Sequence, residues 1–103
     1  MSIQLTNGNF QKEVLQSELP VIVDFWAIWC GPCKALGPTI EQIAVDLEGK
    51  VKVGKVNVDD EPALANTYRI SSIPTVMLFK GGKAVSQVVG LMSKENLLKR
   101  LGL

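Results

Sequence analysis

The chain has two cysteines, and they stand two residues apart in Trp29-Cys30-Gly31-Pro32-Cys33-Lys34; it has no histidine. Thiols at this spacing can close a small ring and open it again. A purely structural cross-link would gain little here, because stabilisation grows with the length of the loop closed. Structural zinc takes four ligands, usually as two separated pairs, and only one cysteine pair is present. Reversible thiol–disulfide chemistry is the reading that remains. The thiolate is the attacking form, so the motif needs something that favours negative charge on sulfur.

The flanking sequence supplies it. Val21-Ile22-Val23-Asp24-Phe25-Trp26 is apolar on both faces except at Asp24, the pattern of a central strand buried between helices. A helical pattern follows from about Cys33 to Leu47, with Leu36, Ile40, Ile43, Ala44 and Leu47 as its apolar stripe. Pro38 should kink it and Gly49 should end it. Cys30 therefore falls just before a helix, where free N–H groups and the dipole favour a thiolate. Cys33 falls inside the first turn and is expected to be less exposed, which suits a resolving thiol. Gly31 and Pro32 allow a tight turn into a helix and add no charge.

The rest of the chain must hold this junction in place. Ile3 to Leu5 reads as a short edge strand. Asn7 or Asn9 can cap a helix through Leu15. Val51 to Val58 is β-branched and strand-like, and Asp59-Asp60-Glu61-Pro62 opens a helix to about Tyr68. Thr75 to Lys80 and Lys83 to Val89 are strands joined at Gly81-Gly82, a hairpin signal. Ser93 caps a last helix carrying Leu97, Leu98 and Leu101. The order βαβαβαββα requires parallel strands with crossovers plus one antiparallel pair.

Composition bounds the function classes. At 103 residues, 47% hydrophobic, the chain is expected to form one domain, residues 1–103, with an ordinary core. Its formal net charge is +1 and the charges are dispersed, so neither nucleic acid nor a membrane surface is an expected partner. Met1-Ser2-Ile3-Gln4-Leu5 has no basic or apolar leader character, so no signal peptide is expected. Sparse cysteine usage then favours the cytoplasm.

Several pieces together resemble the thioredoxin family over essentially the whole chain. They are Asp24-Phe25-Trp26-Ala27, Trp29-Cys30-Gly31-Pro32-Cys33-Lys34, Pro38, Lys55, Asp59, Ile73-Pro74-Thr75, Phe79-Lys80-Gly81-Gly82 and Gly90. A Cys-x-x-Cys alone is a weak signal. The same motif after a buried strand, with Ile-Pro-Thr further on before a Gly-Gly hairpin, is specific. Departures are Ile28, where a polar, acidic or proline residue is commoner, Ser71-Ser72 before Ile73, and Gly37 before Pro38. Ile28 and Ser71-Ser72 border the expected docking surface and bear on partner choice, not on the reaction.

The resemblance implies an α/β thioredoxin fold, a three-layer sandwich with a central mixed five-stranded sheet flanked by four helices. It implies reduction of protein disulfides, Cys30 attacking and Cys33 resolving, with no bound cofactor and no metal. It implies that Asp24 relays a proton to or from the resolving thiol, with Lys55 as its partner. From the residues alone, a satisfied structural Asp24 is equally open, and for a strand lysine such as Lys55 a solvated face is the favoured reading. The Ile73–Pro74 bond is implied to be cis, with the Ile73 backbone pairing with substrate. Trp29, Gly31, Pro32, Ile73, Pro74 and Gly90 are implied to form a flat apolar patch around Cys30, whereas Trp26 is expected in the core. Gly-Pro between the cysteines resembles the reducing members. The implied partners are protein disulfides and a thioredoxin reductase, an NADPH flavoprotein or a ferredoxin-linked enzyme, with the chain itself a monomer. A disulfide oxidant or isomerase, and a non-catalytic binding module, share the fold and are the rival readings.

Overall fold

The computed structural model describes residues 1–103. Five strands form one mixed sheet in the order β1-β3-β2-β4-β5: β1 Ile3–Gln4, β2 Val21–Trp26, β3 Lys52–Asn57, β4 Thr75–Lys80 and β5 Lys83–Val89. β1, β3 and β2 run parallel, while β4 is antiparallel to both β2 and β5. The helices are a π-helical turn Gln11–Leu15, α1 Gly31–Asp46, α2 Pro62–Thr67 and α3 Lys94–Leu101. The expected element order holds throughout.

β2 is central because its residues tolerate burial on both faces. Val21, Val23 and Phe25 point to one face, with Val56, Met77, Phe79 and the aromatic ring of Phe10. Ile22 points to the other, with Val53, Leu78 and the undersides of α1 and α3, through Leu36, Ile40, Ile43, Leu97 and Leu101. Alternation sends Asp24 to this second face. In register it lies between Lys55 of β3 and Val76 of β4.

Two local expectations are corrected. Neither Asn7 nor Asn9 caps the first helix: Phe10 occupies the cap position without a side-chain bond. The Asn9 carboxamide instead accepts from Thr6 N–H at 2.7 Å and donates to the Gln4 carbonyl at 3.0 Å, closing the loop behind β1. The helix that follows uses the wider bond Gln16 N–H to the Gln11 carbonyl, 2.9 Å. Helix α1 begins at Gly31, earlier than Cys33. Proline at the second helical position costs no bond, because first-turn N–H groups have no acceptor within the helix. At the other end of the chain, Ser93 caps α3 as expected, its hydroxyl accepting from Asn96 N–H at 3.2 Å.

Gly54 lets the edge of the sheet close. A Cβ there would stand 2.7 Å from Leu5 Cγ and 3.3 Å from the Ile3 carbonyl oxygen. Leu5 is itself only 1% exposed and has no room to withdraw. Gly54→Ala is expected to destabilise the fold by about 1–3 kcal/mol through overpacking. A denaturant midpoint equal to that of the parent would contradict this account.

Candidate active site

The site is built where β2 ends and α1 begins. Ala27 closes a turn by accepting from Cys30 N–H at 3.2 Å. Cys30 has extended backbone (φ −89°, ψ 110°) and is the N-cap of α1. Its sulfur accepts from Cys33 N–H at 3.2 Å, the place usually taken by a serine or aspartate oxygen. The two sulfurs are joined as the Cys30–Cys33 disulfide, with Cα atoms 5.2 Å apart. The N–H that caps the helix and the positive end of the helix dipole therefore both meet Cys30. They are placed to stabilise a thiolate once the bridge is reduced.

Cys33 is not the less exposed thiol: both residues are 4% accessible, because the closed bridge tucks both sulfurs against Ala27. Trp26, Val58 and Ile73 pack around the pair. The Ile73–Pro74 peptide is cis, and the Ile73 carbonyl oxygen lies 3.9 Å from Cys30 Sγ. Gly90 N–H donates to the Pro74 carbonyl at 2.9 Å, which ties the β5 end to the same loop.

The structure gathers Trp29, Gly31, Pro32 and Ile73 at the surface around the bridge, but Pro74 is buried beneath them. Trp29 is 68% exposed, yet its indole N–H donates to an Asp59 carboxylate oxygen at 2.8 Å. Asp59 lies far along the chain, so its role as the holder of Trp29 was not visible in the motif. Trp26 is half-buried, not core. It lines a cavity of about 420 Å³ with Ser2, Ile3, Gln4, Lys55, Asn57 and Asp60.

In β2, on the sheet face that α1 covers, Asp24 is 1% exposed and neither carboxylate oxygen has a hydrogen-bond partner. Burial pushes its pKa up to about 7, against the attraction of Lys55 and with the help of repulsion from Glu41. Lys55 is beside Asp24 in the strand register, but the expected pair is not an ion pair. Its ammonium lies over the Trp26 ring, 4.9 Å from the centroid. Glu41 was missed in the sequence. No group of three or more His, Cys, Asp or Glu residues comes together as a metal site.

A disulfide that caps a helix above a buried, protonatable carboxyl defines a dithiol–disulfide oxidoreductase domain. The thioredoxin family model matches residues 1–102, and the chain belongs to the thioredoxin family. It is 53% identical to thioredoxin of Rickettsia felis, over 95% of this chain and 93% of that protein. It is 52% identical to thioredoxin 1 of a Nostoc species, over 95% and 92%, and 51% identical to thioredoxin 2 of Chlorobaculum tepidum, over 95% and 90%. The chain is thus a protein-disulfide reductase working by dithiol–disulfide exchange, with protein disulfides as substrates and a reductase as partner. No helix is long and apolar enough to cross a membrane.

Asp24 makes stability depend on pH. Its carboxyl is about 3.8 when unfolded and about 7 when folded. Its neutral form costs the fold least, so the penalty is absent below the unfolded value. It grows as pH rises above that value and is complete above the folded one. Asp24→Asn is expected to stabilise the protein above neutrality, by at most about 4 kcal/mol and less whatever the buried amide costs. The gain should vanish toward pH 4. Denaturant midpoints of both proteins across this range measure it; a gain that does not change with pH would mean that Asp24 does not titrate as described.

Proposed function

We propose that Cys30 is the attacking thiol, that Cys33 resolves, and that Asp24 handles the proton. The observation that carries this reading is the position of Cys30 as N-cap of α1, with Asp24 on the sheet face beneath that helix. The Cys30 thiolate attacks one sulfur of a substrate disulfide. The substrate S–S bond breaks, one substrate thiolate leaves, and Cys30 is in a mixed disulfide. Cys33 gives up its proton and attacks Cys30 Sγ; the mixed bond breaks and the second substrate thiolate leaves. Two electrons have passed to substrate, and Cys30–Cys33 is closed. A carboxylate at Asp24 takes the Cys33 proton, and its raised pKa lets it work near neutrality.

Substrate docks on Trp29, Gly31, Pro32, Ile73 and Gly90, the exposed or half-exposed residues around the bridge. The Ile73 backbone next to Cys30 offers pairing to an extended segment, and Pro74 shapes that loop from below. Gly31 and Pro32 tune the couple by adding no further charge to the thiolate, and the chain has no histidine to do so. This favours a reductant over an oxidant or isomerase. The restoring partner is an NADPH flavoprotein reductase or its ferredoxin-linked counterpart, and the chain acts as a cytoplasmic monomer.

Cys33→Ser is expected to keep attack and accumulate mixed disulfides with protein substrates, whereas Cys30→Ser should trap almost none. Non-reducing gels of a thiol-trapping pull-down read this directly. Preferential alkylation of Cys33 in the reduced wild type, located by peptide mass mapping, would reverse the assignment.

A further inference from the structure

Lys55 is a cation shared by two carboxylates and bound by neither. In the sheet, one row of side chains on the α1 face runs Gln4, Lys55, Asp24, Val76 and Val88. Above that face, α1 presents Cys33, Gly37 and Glu41 at steps of one helical turn. Glu41 is the acidic side chain that reaches the row from the helix. It is not free to wander. Ser2, at the start of β1, donates its N–H to Glu41 Oε1 at 3.2 Å and its hydroxyl to Oε2. These bonds join residues 39 apart in sequence and fasten α1 to the sheet edge at the rim of the cavity that Lys55 lines.

We propose that Glu41, clamped by Ser2, is a positioning residue for the proton step: it divides the attraction of Lys55 and so leaves Asp24 free to hold a proton. This deepens the proposed role of Asp24 and rests on it. A Lys55–Asp24 ion pair would lower the Asp24 pKa and leave its carboxylate too weak a base to take the Cys33 proton. The ion pairs of the molecule are Lys52–Glu13 and Lys94–Asp46; Lys55 is in neither. Its ammonium lies over Trp26 instead, and its charge is felt by both Asp24 and Glu41. The Ser2 hydroxyl is the main cause holding Glu41 below the usual carboxylate range, and Lys55 and the N-terminal ammonium add to it. Glu41 is therefore a fixed negative charge through the working pH range, and its field opposes ionisation of Asp24.

The charged groups that face Asp24 are Lys55 from β3 and Glu41 from α1. The other neighbour of Asp24 in register is Val76 of β4, and α1 and α3 pack this face of the sheet through apolar residues, Leu36, Ile40 and Leu97 among them. The hydrogen bonds of Glu41 go to Ser2, and it acts on Asp24 through charge.

The test is the titration of the Asp24 carboxyl carbon by NMR in the full chain, for wild type, Glu41→Gln and Glu41→Ala. It is paired with the pH profile of protein-disulfide reduction for the same proteins and for Asp24→Asn. Both Glu41 variants are expected to lower the Asp24 midpoint by some tenths of a pH unit or more. The rate profile should move to lower pH by the same amount. Glu41→Gln keeps a hydrogen-bonding head for Ser2, so agreement between the two variants assigns the shift to charge. An unchanged Asp24 midpoint in a folded Glu41→Gln protein overturns the proposal while leaving the role of Asp24 intact. A shifted midpoint with a rate profile that neither Glu41→Gln nor Asp24→Asn alters overturns the role of Asp24, and the proposal with it.

Discussion

An unpartnered carboxyl in the middle of a sheet is the constraint around which this molecule is arranged. Both oxygens of Asp24 are buried without a hydrogen bond, a placement that costs free energy and that packing alone would remove. The fold accommodates it by keeping the group neutral over much of the pH range. That requires three things at once. β2 must be central, so that burial is complete. Lys55, next door in the register, must not close an ion pair. And α1 must lie across this face, so that its first turn brings Cys33 over the same side of the sheet. The result is a carboxyl raised to about 7, which is what the proton-handling role we propose for it requires.

The other half of the site works with the opposite sign. Above the carboxyl, the first N–H groups of α1 converge on Cys30, and the Cys33 N–H is already aimed at its sulfur. The helix end is placed to favour negative charge on a reduced Cys30, while burial in the strand disfavours it on Asp24. No histidine is needed to separate the protonation states of the two groups, because a helix end and a dry strand separate them. Gly31 and Pro32 contribute by what they omit: a bulky or charged side chain in that first turn would perturb both.

Much of this was legible in the sequence, for physical reasons that differ from element to element. β2, β4 and β5 declared themselves through β-branched runs and the Gly81-Gly82 turn, and α3 through the Ser93 cap. The start of α1 was read two residues late, because Gly31 and Pro32 look like a linker until their N–H needs are counted. The first helix was given an asparagine cap that the structure spends on the preceding loop. Trp26 looked like core by its neighbours along the chain but sits at the rim of a cavity. What the sequence did not reveal was every side-chain pairing between distant segments: Trp29 with Asp59, Ser2 with Glu41, and the missing pair of Lys55 with Asp24. Local periodicity carries no information on which of several charged residues meet across a fold.

The two tasks we propose for the site, meeting a substrate and moving a proton, fall to different kinds of residue, the first exposed and the second buried. In the reading we propose, docking falls to exposed apolar and backbone groups: Trp29, Gly31, Pro32 and the Ile73 main chain. Of these, Trp29 is the largest, and Asp59 fixes its ring while leaving it 68% exposed. A side chain held before contact loses less entropy on binding than a free one, so a broad apolar face can remain productive with many partners. The proton step we propose falls to Asp24, which is buried and out of reach of a docked substrate, with Lys55 and Glu41 as the charges that face it. On this proposal, changes at exposed Ile28 or Ser71-Ser72 would alter which disulfides are approached without altering how the bridge closes, and changes in the Asp24 row would alter how it closes for every substrate alike.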